Sequence, residues 1–317
     1  MFQGIKNGWD LIKESIKVFN HHPKFIVPLL ITWLIYAPII LYFRCWFDWD
    51  TYTHSQTFLI VLGIIFLFAS LLSFSCSVLL ELIQHFESGK QMRVFKAFGH
   101  TLARNTIKIL PVVFVWTIIW FILLVIQGLL PERERKRGKK EFFSEEDAIE
   151  TLANYQNISL SKVFFEGLKK GVRMIVFLIL PAIVWENLGF LRSIKKGIAI
   201  FKSNLAVFTT GFVLTGVVAA IIFLPPTLLF YISEKMEITL PDWVWIVTII
   251  YIAFAWSYSI YLEQMFTAEL YLWHYKWEKE VAKAQQEGRP TPTLNDVSRP
   301  SVLDEVHELV EKSSMTD

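Results

Sequence analysis

Residues 57–80 read TFLIVLGIIFLFASLLSFSCSVLL, a run of 24 residues without a charged side chain. The hydrocarbon core of a bilayer is about 30 Å thick, and a helix that rises about 1.5 Å per residue needs about 20 apolar residues to cross it. This run therefore predicts a membrane-spanning helix. Further segments of the same kind lie at residues 24–43, 107–130, 174–189, 205–231 and 243–262.

The fourth of these six segments is the shortest. Its uncharged run extends only from Met174 to Trp185, and Glu186 follows at once. It needs flanking polar residues to reach both interfaces. The pattern as a whole predicts an all-α fold, a polytopic membrane helix bundle of about six transmembrane helices.

The composition agrees with a membrane protein. Of 317 residues, 54% are hydrophobic and 19% are charged, with a mean hydropathy of +0.43, whereas soluble domains are about 25% charged. These values exclude a disordered chain and a coiled coil, and they disfavour a soluble enzyme. Two cysteines exclude a disulfide scaffold, and a net charge of +2 indicates no nucleic-acid partner.

The distribution of basic residues predicts the orientation, because Lys and Arg concentrate on the cytosolic side. With six spans, 19 of the 31 Lys and Arg residues lie on the side of both termini. The polybasic stretch 131–140 falls on the opposite side and is the one exception. We therefore predict a multi-pass protein of the cell (inner, cytoplasmic) membrane with both termini cytosolic.

Amphipathic segments precede the odd-numbered spans, and we call them elbows. Two of them carry apolar residues at helical spacing 182 positions apart, namely Phe2, Ile5, Trp9, Ile12, Ile16 and Phe19, and Leu191, Ile194, Ile198, Phe201 and Leu205. Phe95, Phe98 and Leu102 form a looser copy. We expect each elbow to be a helix in the membrane interface with this apolar stripe turned inward.

The even-numbered spans each end near a glutamate, which suggests a repeat. The distance is 62 residues both from Phe19 to Glu81 and from Phe201 to Glu263. We infer three elbow–hairpin units over residues 1–275, the middle one with an outer insertion at about 131–162. Coincidence is the alternative. A cytosolic tail, 276–317, is expected to contain a linker and a short amphipathic helix at about 301–312.

Ionisable side chains within spans are costly, and they are therefore the first place to look for function. Glu81, Glu186 and Glu263 form the candidate polar cluster, which we expect at the cytosolic interface. In one interpretation each carboxylate is bound by a basic elbow residue, a contact that we call a clasp. The candidate partners are Arg93, Arg192 and Lys195. In the other interpretation the carboxylates share a cavity for an ion, a proton or a lipid headgroup. Glu269 is expected in the headgroup zone.

Three stretches resemble an uncharacterised prokaryotic family of six-span integral membrane proteins, a domain of unknown function. They are FLILPAIVWENLGFLRSIKKGIAIFK (177–202), ESGKQMRVFKA (87–97) and QMFTAELYLWH (264–274). The resemblance covers about residues 5–275 and implies a fold similar to the membrane-anchor domain of bacterial glycerophosphodiester phosphodiesterases, without the phosphodiesterase domain. It implies no activity. The charged insertion 131–162 and the long tail depart from the family pattern.

No catalytic motif, metal-ligand spacing or cofactor-binding motif occurs in the chain, so we predict no catalytic residues, no metal and no cofactor. The favoured hypothesis is a non-enzymatic scaffold or accessory subunit that organises membrane lipids or partner proteins, with the C-terminal helix as a possible protein-docking element. A transporter or lipid-handling protein with a cytosol-facing polar cavity is the alternative. A lipid-headgroup enzyme ranks last, because no nucleophile–base pair is visible.

Overall fold

A computed structural model of the chain describes residues 2–87, 94–129, 160–236 and 240–299, together with Ser301 and Val306. Within these residues it has eight α-helices and no β-strand, so the predicted all-α fold is confirmed. The helices are α1 (Phe2–His21), α2 (Val27–Cys45), α3 (His54–Glu87), α4 (Val94–Leu129), α5 (Leu160–Val184), α6 (Phe190–Ser203), α7 (Leu205–Lys235) and α8 (Asp242–Gln286).

Five segments in the described part of the chain are long and apolar enough to cross a membrane, which makes this a multi-pass membrane protein. They are Pro23–Cys45, which combines a short 3-10 turn with α2, then α3, Val94–Gln127 of α4, α7 and α8. These segments overlap the first, second, third, fifth and sixth predicted spans.

The fourth predicted span, residues 174–189, is not among the five. Its apolar run forms the C-terminal half of α5, whose N-terminal half carries Lys169, Lys170 and Arg173. From Met174 to Trp185 nearly every side chain is buried, and α3, α4, α6 and α8 all pack against this helix. Five of the six predicted spans are thus long and apolar enough by themselves among the described residues, and the fourth, α5, is an internal helix of the bundle.

A second internal element is the middle of α8. This helix has 45 residues, about 67 Å in length, and its segment from Ile260 to His274 is buried on every side. It runs parallel to α5, because Gln264 donates a hydrogen bond to the Phe177 carbonyl while Tyr271 packs against Trp185. The core of the bundle therefore lies along the α5–α8 pair.

The elbows are helical, but their buried faces differ from the predicted stripe. On α6 the side chains of Leu191 and Ile198 are 75% and 38% exposed, whereas Ser193, Gly197 and Ile200 are buried. Gly197 packs so closely against Ile179 of α5 that no side chain fits there. Small residues allow close approach of helices within membranes, where lipid is as apolar as leucine. Of the α6 stripe, Leu191, Ile198 and Leu205 are therefore exposed, whereas Ile194 and Phe201 are half-buried and pack against the core.

The other two elbows also bury small or polar residues. The start of α4 buries Ala97, Thr101 and Asn105 and exposes Phe95 and Leu102 by 81% and 61%. On α1 the buried residues are Asn7, Gly8, Leu11, Ile12, Ser15 and Val18. Of the predicted α1 stripe, Ile12 is buried, Ile16 and Phe19 are half-buried and Trp9 is exposed, while the side chains of Phe2 and Ile5 lie outside the described part.

Each elbow packs against the last helix of the preceding unit. The start of α4 lies on α3, α6 lies on α5, and α1 packs on α7 and α8. Gly8 of α1 approaches Thr210 of α7 closely enough to exclude a side chain at position 8. These contacts close the described helices into a ring, with α1 on α7 and α8, while the three elbow–hairpin units and the 182-residue offset stay predictions. The insertion 131–162 lies outside the described residues except for the first turn of α5.

The described part of the C-terminal tail folds back onto the bundle. Asn295 accepts a hydrogen bond from Asn7 at 2.8 Å, and Trp277 and Trp273 of α8 donate to the carbonyls of Pro292 and Val297. The predicted boundary between residues 275 and 276 lies within the continuous helix α8. Of the predicted helix 301–312, only Ser301 and Val306 are described, and Val306 is fully buried.

Candidate functional site

Glu81 lies on α3 at the junction with the second elbow. Its side chain is 2% exposed, and its Oε1 atom lies 2.7 Å from Nδ1 of His100 on α4. His85, one turn further along α3, approaches the same oxygen at 3.2 Å. The carboxylate is therefore held between two imidazoles, one from its own helix and one from the elbow.

Glu186 lies in the turn between α5 and the third elbow, α6. The Lys196 ammonium contacts both carboxylate oxygens, at 2.5 and 2.7 Å, and the Tyr271 hydroxyl donates to Oε1 at 2.5 Å. The next residue, Asn187, has a φ of 54°, which asparagine tolerates better than most residues. Lys108 of α4 donates to its carbonyl at 2.9 Å. This turn is thus held by lysines from two elbows.

Glu263 of α8 is buried and paired with α5. Arg173 donates two hydrogen bonds of 2.8 Å to its carboxylate, the bidentate geometry that guanidinium groups favour. Lys170 lies 3.7 Å from the same carboxylate and donates to the Phe212 carbonyl and the Thr215 hydroxyl of α7.

The three predicted glutamates do not share one level of the bundle. Trp185, next to Glu186, donates to the carbonyl of Leu80, next to Glu81, so these two carboxylates belong to one layer. Glu263 precedes Tyr271, the α8 residue that binds Glu186, by eight residues, or about 12 Å of helix. The expected single cluster is therefore corrected to a pair, Glu81 and Glu186, and a separate, deeper ion pair at Glu263.

The predicted basic partners also differ. Lys196, not its neighbours Arg192 or Lys195, binds Glu186, because only residue 196 borders the buried face of α6 while the other two side chains are exposed. Arg93 lies outside the described residues. Sequence reasoning missed His100, Arg173 and Lys170, since each is far along the chain from the glutamate that it contacts.

Glu269 is a buried carboxylate that sequence reasoning did not include in the candidate cluster. It is fully buried on α8, where its Oε1 atom accepts a hydrogen bond of 3.2 Å from the Ser15 hydroxyl of α1. Its Oε2 atom has no hydrogen-bond partner among the described residues. The sequence did contain a warning: no Lys or Arg occurs between Lys235 and Lys276, so α8 has no basic residue near Glu269 along the chain.

The outward faces of the second and third elbows form one kind of surface, which we call the elbow surface. It combines the exposed apolar residues Phe95, Leu102, Leu191 and Ile198 with the exposed basic residues Lys96, Arg104, Lys195 and Lys202. Large apolar side chains mixed with Lys and Arg are typical of helices that lie in the membrane interface. This surface suits contact with apolar chains and anionic headgroups at the same time.

Comparisons with known proteins offer no name for this architecture. No protein-family profile matches the chain, and neither curated proteins nor solved structures include a match.

Proposed function

We propose that the chain is a non-enzymatic membrane scaffold or accessory subunit, which organises the lipids of the cytosolic leaflet through its elbow surface. The observation that carries this proposal is the rotation of the elbows. On the second and third elbows, Ala97, Thr101, Ser193 and Gly197 pack on the bundle, while Phe95, Leu102, Leu191 and Ile198 are exposed beside exposed basic residues. Such a surface binds anionic lipids through buried apolar area and Lys/Arg–headgroup attraction together.

We also propose a membrane location and a family for the chain. With α5 counted as a sixth crossing inside the bundle, the elbows and both termini lie on the cytosolic side of a cell inner membrane, as the Lys and Arg distribution favours. The chain belongs, in this proposal, to the uncharacterised six-span family that its sequence resembles. Partner proteins bind through the C-terminal segment after Ser301.

Lipid retention tests the scaffold function. The full-length protein and the double variant K195Q/K202Q are reconstituted in mixed phosphatidylglycerol–phosphatidylethanolamine bilayers, extracted gently and analysed by lipid mass spectrometry. Each basic residue near a headgroup contributes about 1 kcal/mol, so removal of two lowers the preference for anionic lipid roughly thirtyfold. The matched control R44Q/K235Q removes two basic residues on the opposite side. Equal loss in both variants, or no loss in either, contradicts the proposal.

A transporter or lipid-handling function is the second candidate, and one observation favours it. Lys170, Arg173 and Glu263 place two cations and one anion inside the bundle, and intramembrane ionisable residues mark ion and substrate pathways in transporters. Proteoliposomes on a solid-supported membrane, challenged with pH and Na⁺ jumps, test it. Transient currents present in the wild type and absent in E263Q support transport, and silent wild-type proteoliposomes count against ion transport.

A further inference from the structure

The three junctions of the ring are alike in architecture but unequal in charge. At each junction a carboxylate on, or just after, the last helix of one predicted unit meets the elbow of the next. Glu81 meets His100, Glu186 meets Lys196, and Glu269 meets Ser15 of α1, the elbow that closes the ring. The first two elbows bring a basic side chain to this contact, whereas the third brings a hydroxyl.

The hydrogen bonds around Glu269 leave the carboxylate poorly satisfied. The Ser15 hydroxyl carries one proton, yet it lies within hydrogen-bond distance of both the Leu11 carbonyl at 3.0 Å and Glu269 at 3.2 Å. Tyr261 directs its hydroxyl to the Ser15 carbonyl instead of the carboxylate. Glu269 therefore shares at most one donor, and its second oxygen has no hydrogen-bond partner in the described part of the chain.

The charges that face Glu269 further disfavour the ionised form of its carboxylate. Glu14, the residue before Ser15, acts on it with a second negative charge. The two elbow lysines that flank Ser15 along the chain, Lys13 and Lys17, pair with Asp10 and Glu14 and are 59% and 66% exposed. No described basic side chain forms an ion pair with Glu269. A buried carboxylate in such surroundings is stable only when a cation or a proton neutralises it.

We propose that Glu269 and Ser15 form a binding site for one small cation, either a proton or an alkali-metal ion. At this junction the cation takes the place beside the carboxylate that the side chains of His100 and Lys196 take at the other two. The carboxylate and hydroxyl oxygens are the hard donors that both cations accept. Cation binding then stabilises the packing of α1 on α8, because the neutralised carboxylate is no longer costly to bury.

Thermal unfolding of the purified full-length protein in detergent tests the site. Sodium, potassium and N-methyl-D-glucamine chloride are compared at constant ionic strength, and each series is repeated from pH 6 to 9. If the cation is an alkali ion, Tm rises saturably with Na⁺ or K⁺. If it is a proton, Tm ignores the salt and falls as pH rises, because the folded state holds a proton that the unfolded state does not bind in this pH range. Either response supports the site.

Two variants and a spectroscopic measurement decide the assignment. E269Q is neutral and similar in shape, so it should reach the Tm of the saturated wild type and lose the response. E186Q changes a carboxylate that already has Lys196 as its partner, so this variant should keep the response of the wild type. Infrared spectroscopy of the wild type shows a protonated carboxylic acid band only in the proton case, and E269Q should lose that band. A wild type with neither cation response nor acid band, or an E269Q protein that responds like the wild type, overturns the proposal.

Discussion

The ion pair between Glu263 and Arg173 permits a prediction that depends on which partner is removed. The carboxylate is 2% exposed and the guanidinium 27% exposed, and Lys170 stands 3.7 Å away as a second cation. E263Q leaves two cations in the bundle without their anion. R173M leaves one carboxylate that still has Lys170. We therefore expect E263Q to be more destabilising than R173M.

The magnitudes follow from the cost of an uncompensated buried charge. Breaking a buried ion pair by removal of one partner costs about 3–5 kcal/mol, and E263Q should fall in this range. Lys170 compensates the carboxylate that R173M leaves behind. The loss of unfolding free energy in R173M should therefore be about 2 kcal/mol smaller than that in E263Q. The double variant E263Q/R173M should cost clearly less than the sum of the two single variants, since residues in contact are not additive.

Unfolding in mixed detergent–dodecyl sulfate micelles, followed by tryptophan fluorescence, measures these differences. K235Q serves as the control, because this exposed lysine should change the free energy of unfolding by less than about 0.5 kcal/mol. If R173M proves as costly as E263Q, Lys170 does not act as a counter-ion. If E263Q costs less than about 1 kcal/mol, the carboxylate is not a buried ion-pair partner, and the α5–α8 packing is wrong.

Further predictions concern packing, the clasp at Glu186, and topology. G211L should prevent folding, because the Phe266 ring lies where the new side chain would extend. G63A, at a position with open space, should leave expression unchanged or improve it. Detergent size-exclusion chromatography measures the yield of folded protein for both variants. K196Q should destabilise the bundle by about 1–3 kcal/mol, since it leaves Glu186 with only the Tyr271 hydroxyl of its two partners. K195Q should not destabilise the bundle in the same unfolding assay. Similar losses in both variants would contradict Lys196 as the partner of Glu186. A cysteine at Gly138 should react with impermeant maleimide added outside sealed cells, and labelling only after lysis would refute the predicted orientation.

The sequence alone determined the membrane class and the helical fold. Runs of about 20 apolar residues admit one main explanation, since backbone groups in lipid must form their hydrogen bonds within the helix. The same reasoning predicted six spans, of which five are found by length and apolarity and the fourth is internal, together with the helical elbows. These properties depend on local composition and on helical spacing, which are visible in a single sequence.

Only the tertiary structure decided which helices are internal and which side chains meet. The apolar run 174–185 of α5 and residues 260–274 of α8 are buried on every side, while the equally apolar residues Leu191 and Phe95 are exposed. Hydropathy does not separate these cases, because lipid and protein interior are both apolar environments. Small residues such as Gly197 and Gly8 mark the packed faces, and an apolar stripe does not.

The pairing of charges was likewise beyond the sequence. Glu263 is paired with Arg173 from 90 residues earlier, and Glu269 faces Ser15 from 254 residues earlier. The sequence showed that buried carboxylates in a membrane protein need partners. Which partner each one finds depends on the ring of elbows, since ring closure brings α1 beside α8 and there supplies a hydroxyl where the other junctions supply a base.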